Sequence, residues 1–548
     1  MEHKELTKIK KTNKITSLFF NLIIFLTLCI LIYIAVSAFL TTAYFQSTYT
    51  NATELTSYKY DNILENLIYI SLLLFIIVII SNIYRNKKVG KFLIILSWIG
   101  ISLLFIWAVL FFRLRPIVDQ GNVVSLAFST LNDNLFLKVS SGDYLEKFPY
   151  QFPFVIYISI IFKISMRLGT IFWANFHIIL QLANVIFSIL SMILMYQIGK
   201  KMISNEKANK ILLVLILLFG MYFMFFNIHI YGNIPGLTFA LLSILFTMMF
   251  IDLQKVRYIF GIGISISISI LLKTNYNIFL IGIFLILFID LINNVNYKKI
   301  LGFIIIPAII IVSQIINNIL FVQMTYSEVP KGVPMISYVY MGWASEYERS
   351  AGWYTEDVLT IYEEAFYDSN IAKEKSIELL IDRMKYFFVE DRQEFVRYAF
   401  DKFNSTWLNP TFQTIWCATP GIFRSTQDLA YMKYLLENDL IKEMVNFTSD
   451  LYHLEEKYMD AYQIIIFTFA IVALFSNKKS NETKFYLPII IFLGGAAFHF
   501  LLWETKAIYV IQYYFLLLPY AAIGLDKAFE IIENKYKLKK ENKEKDKG

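Results

Sequence analysis

Two cysteines in 548 residues exclude a disulfide-built scaffold and leave no paired-cysteine spacing for a structural zinc site. Cys29 falls inside the first apolar run and Cys417 far outside any such run, so an intrachain bridge is not expected. The chain also lacks a phosphate-binding P-loop, a GxSxG nucleophile elbow, an internal repeat, a low-complexity tract and a long flexible linker. These absences remove the common nucleotide-binding, serine-hydrolase and solenoid classes. Formal charge is only +7, concentrated in short loops and at the ends, which gives no footprint for nucleic acid.

What is present is apolar length. A hydrophobic fraction of 57% and a mean hydropathy of +0.55 are too high for water-soluble domains, so the bilayer is the main solvent. Runs such as 17–40, 67–80, 92–112 and 300–322 approach or reach the roughly 20 residues a helix needs to cross a hydrocarbon core. They are too long for barrel strands, and the expected fold is an all-α polytopic membrane protein. The first run follows Lys8, Lys10, Lys11 and Lys14 but has no small-residue cleavage site, and is read as a retained anchor rather than a signal peptide.

Assigning the basic loops to the cytoplasm places the N-terminus inside, with Arg85 to Lys91, Lys200 to Lys210, Lys255 with Arg257, Lys298 with Lys299, Lys478 with Lys479, and the tail. Threading through these points gives about twelve spans, near 17–42, 66–84, 90–112, 171–199, 210–228, 234–252, 258–272, 276–294, 300–322, 461–477, 484–502 and 507–525, with both termini cytoplasmic. The apolar segment 152–164 breaks this parity and is expected to be a juxtamembrane or re-entrant helix. Domain boundaries follow: a two-helix N-terminal addition at 1–89, a transmembrane module at 90–322 with a first outer loop at 113–150, an extracellular domain at 323–460, C-terminal spans at 461–525 and a basic cytoplasmic tail at 526–548. The extracellular domain carries amphipathic helical patterns at 376–388 and 394–403.

Candidate chemistry gathers on the outer face. After the third span come Arg113, Arg115, Pro116 and Asp119, then an amphipathic stretch at 123–136 with Val123, Val124, Ala127 and Leu131 on one face. Two readings of Asp119 stay open: a helix N-cap beside snorkelling arginines, or a carboxylate held at headgroup depth for chemistry. The stretch from Asp143 to Pro153, with Lys147 and Gln151, then leads through aromatics and prolines into the next helix. Tyr231, Gly232, Asn233, Ile234, Pro235 and then Lys273, Thr274, Asn275 lie at later outer connections. Met341, Gly342, Trp343 and Ala351, Gly352, Trp353, Tyr354 sit in the outer domain, and His499 to Lys506 with Tyr509 forms a late motif.

In order and sidedness these motifs resemble the GT-C membrane glycosyltransferases, most nearly family 39, the protein-mannosyltransferase-related (ArnT-like) proteins of Gram-positive bacteria. The resemblance covers about residues 90 to 525. It implies a GT-C-like bundle in the cell membrane that moves a sugar from a polyprenyl-phosphate donor to a hydroxyl of an envelope polysaccharide, lipid or protein at the extracellular face. By match to the family's first-loop acid, Asp119 would be the general base. Arg113, Arg115, Lys147, Lys273 and Lys506 would meet the donor phosphate, each with a snorkelling or structural alternative. Gln151, Asn233, Asn275, Trp353, Tyr354, Glu504 and Tyr509 would line the substrate, with Glu346, Glu348, Glu356 and Asp357 able to bind hydroxyls.

Asn233 replaces an acid found in many relatives and Ile508 an arginine, which disfavours a metal bridging two loop carboxylates and leaves no cofactor assigned. Two other classes compete. A lipid-linked-sugar transporter would place its site at the midplane between repeats, and a non-catalytic envelope-polysaccharide assembly protein would have no need of Asp119.

Overall fold

The computed structural model describes residues 14–48, 54–116, 118–131, 137, 139–169, 176–344, 349–419, 433–434, 437–476 and 483–545. Glu346 and Glu348 lie outside them, as does the far end of the amphipathic stretch at 132–136. The elements run α1 (Lys14–Leu40), β1 (Thr41–Phe45), β2 (Thr56–Tyr60), α2 (Ile63–Arg85), α3 (Val89–Phe112), α4 (Val118–Ser129), α5 (Tyr144–Lys147), α6 (Phe152–Arg167), α7 (Phe176–Met202), α8 (Glu206–Leu218), α9 (Gly220–Phe226), α10 (Asn233–Leu253), α11 (Val256–Leu272), α12 (Asn277–Asn293) and α13 (Tyr297–Thr325). The extramembrane segment supplies α14 (Met335–Met341), α15 (Asp357–Glu364), α16 (Ser369–Lys385), α17 (Arg392–Trp407), α18 (Thr414–Cys417) and α19 (Asp439–Val445). The chain returns through α20 (Asp450–Ser476), α21 (Thr483–Leu501), α22 (Ala507–Phe515) and α23 (Leu518–Lys545).

Among the described residues, eleven helices are long and apolar enough to cross a bilayer, and α22 with α23 forms one further candidate bent by 54°. This is a multi-pass membrane protein. Side-chain contacts fix which ends share a face. At the lower face, Lys201 at the end of α7 and Lys484 at the start of α21 both reach Asp252 at the end of α10, at 3.1 and 3.3 Å. Thr16 of α1 bonds Asn293 of α12 there as well. At the upper face, His177 and Gln181 of α7 bond the carbonyls of Arg113 and Leu114 after α3, and Gln181 also bonds that of Ile228 after α9.

By length alone α6 belongs with the spanning helices, but its contacts place both ends at the upper face. Gln151 at its start donates to Tyr231 in the α9–α10 connection. Phe162 near its end packs against Phe176 at the upper end of α7. It therefore lies against the bundle without crossing, as its parity in the sequence requires. Conversely α11, only 17 residues and so about 25 Å long, does cross, because it starts beside the lower end of α10 and ends at Lys273 beside Tyr231. Counting α11 and the bent pair and removing α6 leaves twelve crossings.

The sequence reading contained no strands. Between α1 and α2 the chain forms a two-stranded antiparallel hairpin, with Thr41 opposite Tyr60 and Phe45 opposite Thr56. Its outer hydrogen bonds are taken by the extramembrane segment: Ala43 N–H donates to the Leu408 carbonyl and Thr56 N–H to Ser350 Oγ, while Tyr58 Oη donates to Asp401. Its foot is tied to α20 by the pairs Lys59–Glu456 and Lys457–Asp61. Paired edges and ion pairs make this hairpin a fixed part of the upper surface.

One ion pair lies almost wholly inside the lower half. Lys299 of α13 is 2.7 Å from Asp290 of α12, with side-chain exposures of 1% and 7%, and also donates to the Asp290 carbonyl. Removing one partner strands a buried charge, so Lys299→Met is expected to cost about 3–5 kcal/mol. Lys299→Met combined with Asp290→Leu should recover most of the thermal stability in detergent; a double variant no more stable than the single one would show that the pair is not the cause.

Candidate active site at the upper face

The upper ends of α3, α11 and α21, the start of α6, the turn before α10 and the hairpin converge on one polar cluster. Asp119 lies in the first turn of α4, second in the helix rather than at its cap position, where its charge suits the helix N-terminus. Val123, Val124 and Ala127 on the buried face of α4 pack against α6 and hold that turn in place. The preceding Val118 has φ of +49°, a left-handed conformation that is strained for a β-branched residue and turns the chain sharply into α4.

Asp119 is exposed at the surface, yet protein crowds it on its remaining sides. That crowding pushes its carboxyl above the usual carboxylate range, against the opposing pull of Lys273 and then Lys506. The buried Tyr144 hydroxyl faces Asp119 and, as a donor toward its carboxylate, adds to that opposing pull.

Lys273 caps the C-terminal end of α11, where a cation suits the helix dipole. Its ammonium lies 4.1 Å from the ring centre of Tyr231 and 5.3 Å from that of Tyr509. Burial brings its pKa down to about 8, with Glu504 and Asp119 acting in the other direction. Glu504 and Lys506 come from the α21–α22 connection, which is fixed by Thr505 N–H donating to the Gly352 carbonyl at 2.8 Å. Burial raises the Glu504 carboxyl, and Tyr509 Oη approaches both of its oxygens at 3.5 Å. Lys506 is 3.8 Å from Glu504 and 3.0 Å from Glu54, and these two carboxylates outweigh burial to hold its ammonium above its ordinary range. Glu54 in turn is 2.6 Å from Arg349. Arg349, Glu54, Lys506, Glu504, Lys273 and Asp119 thus form a row of alternating sign.

The other sequence-nominated residues divide. Gln151 donates to Tyr231 and so orients the ring over Lys273. Tyr354 stands beside Arg349 at 5.4 Å, its phenol pushed up to about 12 by burial and then by Glu356 and Asp119. Asn275 is buried one residue short of Tyr276, which donates at 2.5 Å to the carbonyl of buried Asn233; both asparagines underlie the row.

Three cations are engaged elsewhere. Arg113 folds back on the Leu110 carbonyl and over Tyr434, Arg115 lies beside His177, and Lys147 pairs with Glu363 at 2.6 Å, fastening the first loop to α15. These three thus stand apart from the row, and Lys147 is the one of them held in an ion pair across to α15. Trp353 offers no stacking face either. It is 1% exposed, packed edge-on against Phe45 and covered by Lys506, and it forms part of the wall. Sequence reasoning missed Glu54, Tyr144 and Arg349. The first lies in a hairpin that has no motif, and the others carry no spacing signal.

The donor set does not fit a divalent cation. Asp119 and Glu504 each face ammonium groups already, and among the described residues no three His, Cys, Asp or Glu side chains come together as ligands.

No family model matches the chain, and no curated protein does. Among solved structures it is similar to the archaeal oligosaccharyltransferase AglB from Archaeoglobus fulgidus, in complex with an inhibitory peptide and a dolichol-phosphate, at 11% identity and a TM-score of 0.44 over 83% of this chain and 52% of that one. It is similar also to the apo form of the Archaeoglobus fulgidus oligosaccharyltransferase, at 12% identity and a TM-score of 0.42, with the same coverage. The chain spans about half the length of these structures. What the site can do therefore follows from its own residues.

Gly232 sets the distance between Tyr231 and Lys273. A Cβ there would stand 1.9 Å from the Leu272 carbonyl oxygen, a backbone atom that cannot yield. Gly232→Ala is expected to lift the α9–α10 turn off α11 and uncover Lys273. The lysine should then react several-fold faster with an amine-modifying reagent, read by mass spectrometry; unchanged labelling would show that the turn does not control access.

Proposed function

We propose that the protein is a membrane glycosyltransferase of GT-C type that moves a sugar from a polyprenyl-phosphate donor to an acceptor hydroxyl at the extracellular face, which the upper face represents. The observation that carries this reading is an accessible carboxylate, Asp119, set beside two ammonium groups, Lys273 and Lys506, where the bundle meets the membrane surface. A hydroxyl is a poor nucleophile and needs a base as it attacks; a departing lipid phosphate gains charge and needs cations. The site holds both requirements within one row.

In the proposed reaction the acceptor oxygen bonds to the anomeric carbon, the bond from that carbon to the phosphate oxygen breaks, and the hydroxyl proton passes to Asp119. Lys273 and Lys506 stabilise the phosphate as it leaves. Tyr144, whose buried hydroxyl faces Asp119, is placed to bind a sugar or acceptor hydroxyl beside the base. The acceptor is an envelope polysaccharide, a lipid or a protein. A transporter would need its polar groups at the midplane, whereas this cluster draws on connections at one face alone.

Asp119→Asn should reduce transfer by about 10²–10⁴-fold while leaving donor binding intact, measured in membranes with a polyprenyl-phosphate sugar. Turnover at the wild-type rate would remove Asp119 as the base. Lys273→Met should instead lower kcat/KM by about 10- to 100-fold through loss of a charged phosphate contact.

The pH profile of kcat/KM gives a separate check. Asp119 must be deprotonated, and its raised pKa moves the acid limb above the range of an ordinary carboxylate. Lys273 must be protonated, and with a pKa of about 8 its contribution is lost as pH rises through that value. Activity should therefore fall on both sides, and Lys273→Arg should carry the alkaline limb upward. An alkaline limb that does not move in that variant would assign it to another group.

A further inference from the structure

The hairpin between α1 and α2 places a carboxylate where a phosphate would be bound. Glu54 bridges two cations from separate segments, with Oε1 3.0 Å from Lys506 Nζ and Oε2 2.6 Å from Arg349 Nη1. All three side chains are largely covered, with exposures of 19%, 15% and 26% for Glu54, Lys506 and Arg349. Two oxygens on one centre, each taking a charged donor from a different direction, is also the way a phosphate is held. The chain just after that carboxylate is fixed: Ser350, the neighbour of Arg349, bonds Thr56 at both its backbone N–H and its hydroxyl, at 2.9 and 2.7 Å.

Charge balance gives this bridge a consequence. Along the row Arg349, Lys506 and Lys273 already face Glu54, Glu504 and Asp119 before any substrate arrives. An added phosphate anion competes with a carboxylate for these cations. Asp119 is committed to the acceptor, and Glu504 is buried between Lys506, Lys273 and Tyr509. Of the other two, Glu54 is the more exposed, at 19% against 10% for Glu504, and it sits on a separate segment.

We propose that Lys506 and Arg349 form the phosphate-binding pair of the donor site and that Glu54 occupies it in the free protein, to be displaced by the lipid phosphate. The inference rests on the donor reading above and adds Arg349 and Glu54 to it. Glu54 is thus a competitor for the phosphate pair and sets how strongly the donor is held. Its displacement couples donor binding to movement of the Glu54 end of the hairpin, beside Tyr354 and Trp353.

The test uses the full chain in nanodiscs and polyprenyl monophosphate as the probe. Glu54→Gln, which keeps the shape and removes the charge, should bind the probe about tenfold more tightly than wild type. Glu54→Asp should stay near wild type, and in a Lys506→Met background the gain from Glu54→Gln should vanish. Binding equal to or weaker than wild type in Glu54→Gln would overturn the proposal while leaving the donor reading standing. Failure of every form, wild type included, to bind the probe would overturn both. Hydrogen exchange on the unmodified protein needs no variant: saturating probe should speed exchange of the amides at 54 and 55, and slower or unchanged exchange there would overturn displacement.

Discussion

The site depends on charges of opposite sign held next to one another where water is scarce. A lone lysine or carboxylate at the membrane boundary is costly to desolvate, and each member of the row from Arg349 to Asp119 is kept in place by its neighbours of opposite sign. Lys273 shows the competition directly. Burial pulls its pKa down to about 8, and only the carboxylates of Glu504 and Asp119 keep it from falling further. Lys506, with Glu54 at 3.0 Å and Glu504 at 3.8 Å, goes the other way. Each lysine faces two carboxylates, but Lys506 donates a hydrogen bond to one of them, Glu54, whereas Lys273 feels its pair together with the repulsion of Lys506.

Such a row can be built only if distant segments arrive together, and the bundle is arranged to deliver them. Residue 54 comes from the hairpin, 119 from α4, 273 from the end of α11, 349 from the extramembrane segment and 504–506 from the α21–α22 connection. Two of these arrivals are set by close backbone contacts. Gly232 allows the turn before α10 to touch the Leu272 carbonyl, and Gly352, at φ of +74°, presents its own carbonyl to Thr505 while lying against the Lys402 chain. The helices supply rigid distances across the membrane, and the glycines let their ends close. The α6 helix contributes from the side by seating Gln151 beneath Tyr231.

Much of this was legible in the sequence because the membrane imposes simple rules. Apolar length and basic loops gave about twelve crossings and the exceptional status of residues 152–164, since both follow from the cost of burying charge and backbone in lipid. Asp119, Lys273, Glu504 and Lys506 were identifiable as polar residues at helix ends on one side. Their neighbours were not. A two-strand hairpin leaves a weak mark in a chain dominated by helical runs, so residues 1–89 read as two helices with nothing between them to contribute. Arg113, Arg115 and Lys147 had the right sidedness but point to other partners, and sidedness carries no information about where a long side chain ends. Trp353 reads as a stacking residue in sequence and is a wall residue in space, because one-dimensional patterns cannot separate an aromatic facing a substrate from one facing Phe45.

The same row suggests how the proposed transfer proceeds without creating uncompensated charge. When the acceptor proton moves to Asp119, that carboxylate becomes neutral, and Lys273 loses one of the two anions beside it. In the same step the leaving phosphate gains a negative charge. A lysine with a freed ammonium and a phosphate with a new charge then stand on the same side of the site, so the attraction lost at Asp119 is replaced by attraction to the leaving group. The total charge inside the cluster does not change as the reaction runs; it moves along the row from base to phosphate. Because the carboxylate, the ammonium and their buried neighbours are already fixed by the helix ends, little reorientation has to accompany that movement, which is the condition under which fixed charges are most effective in catalysis.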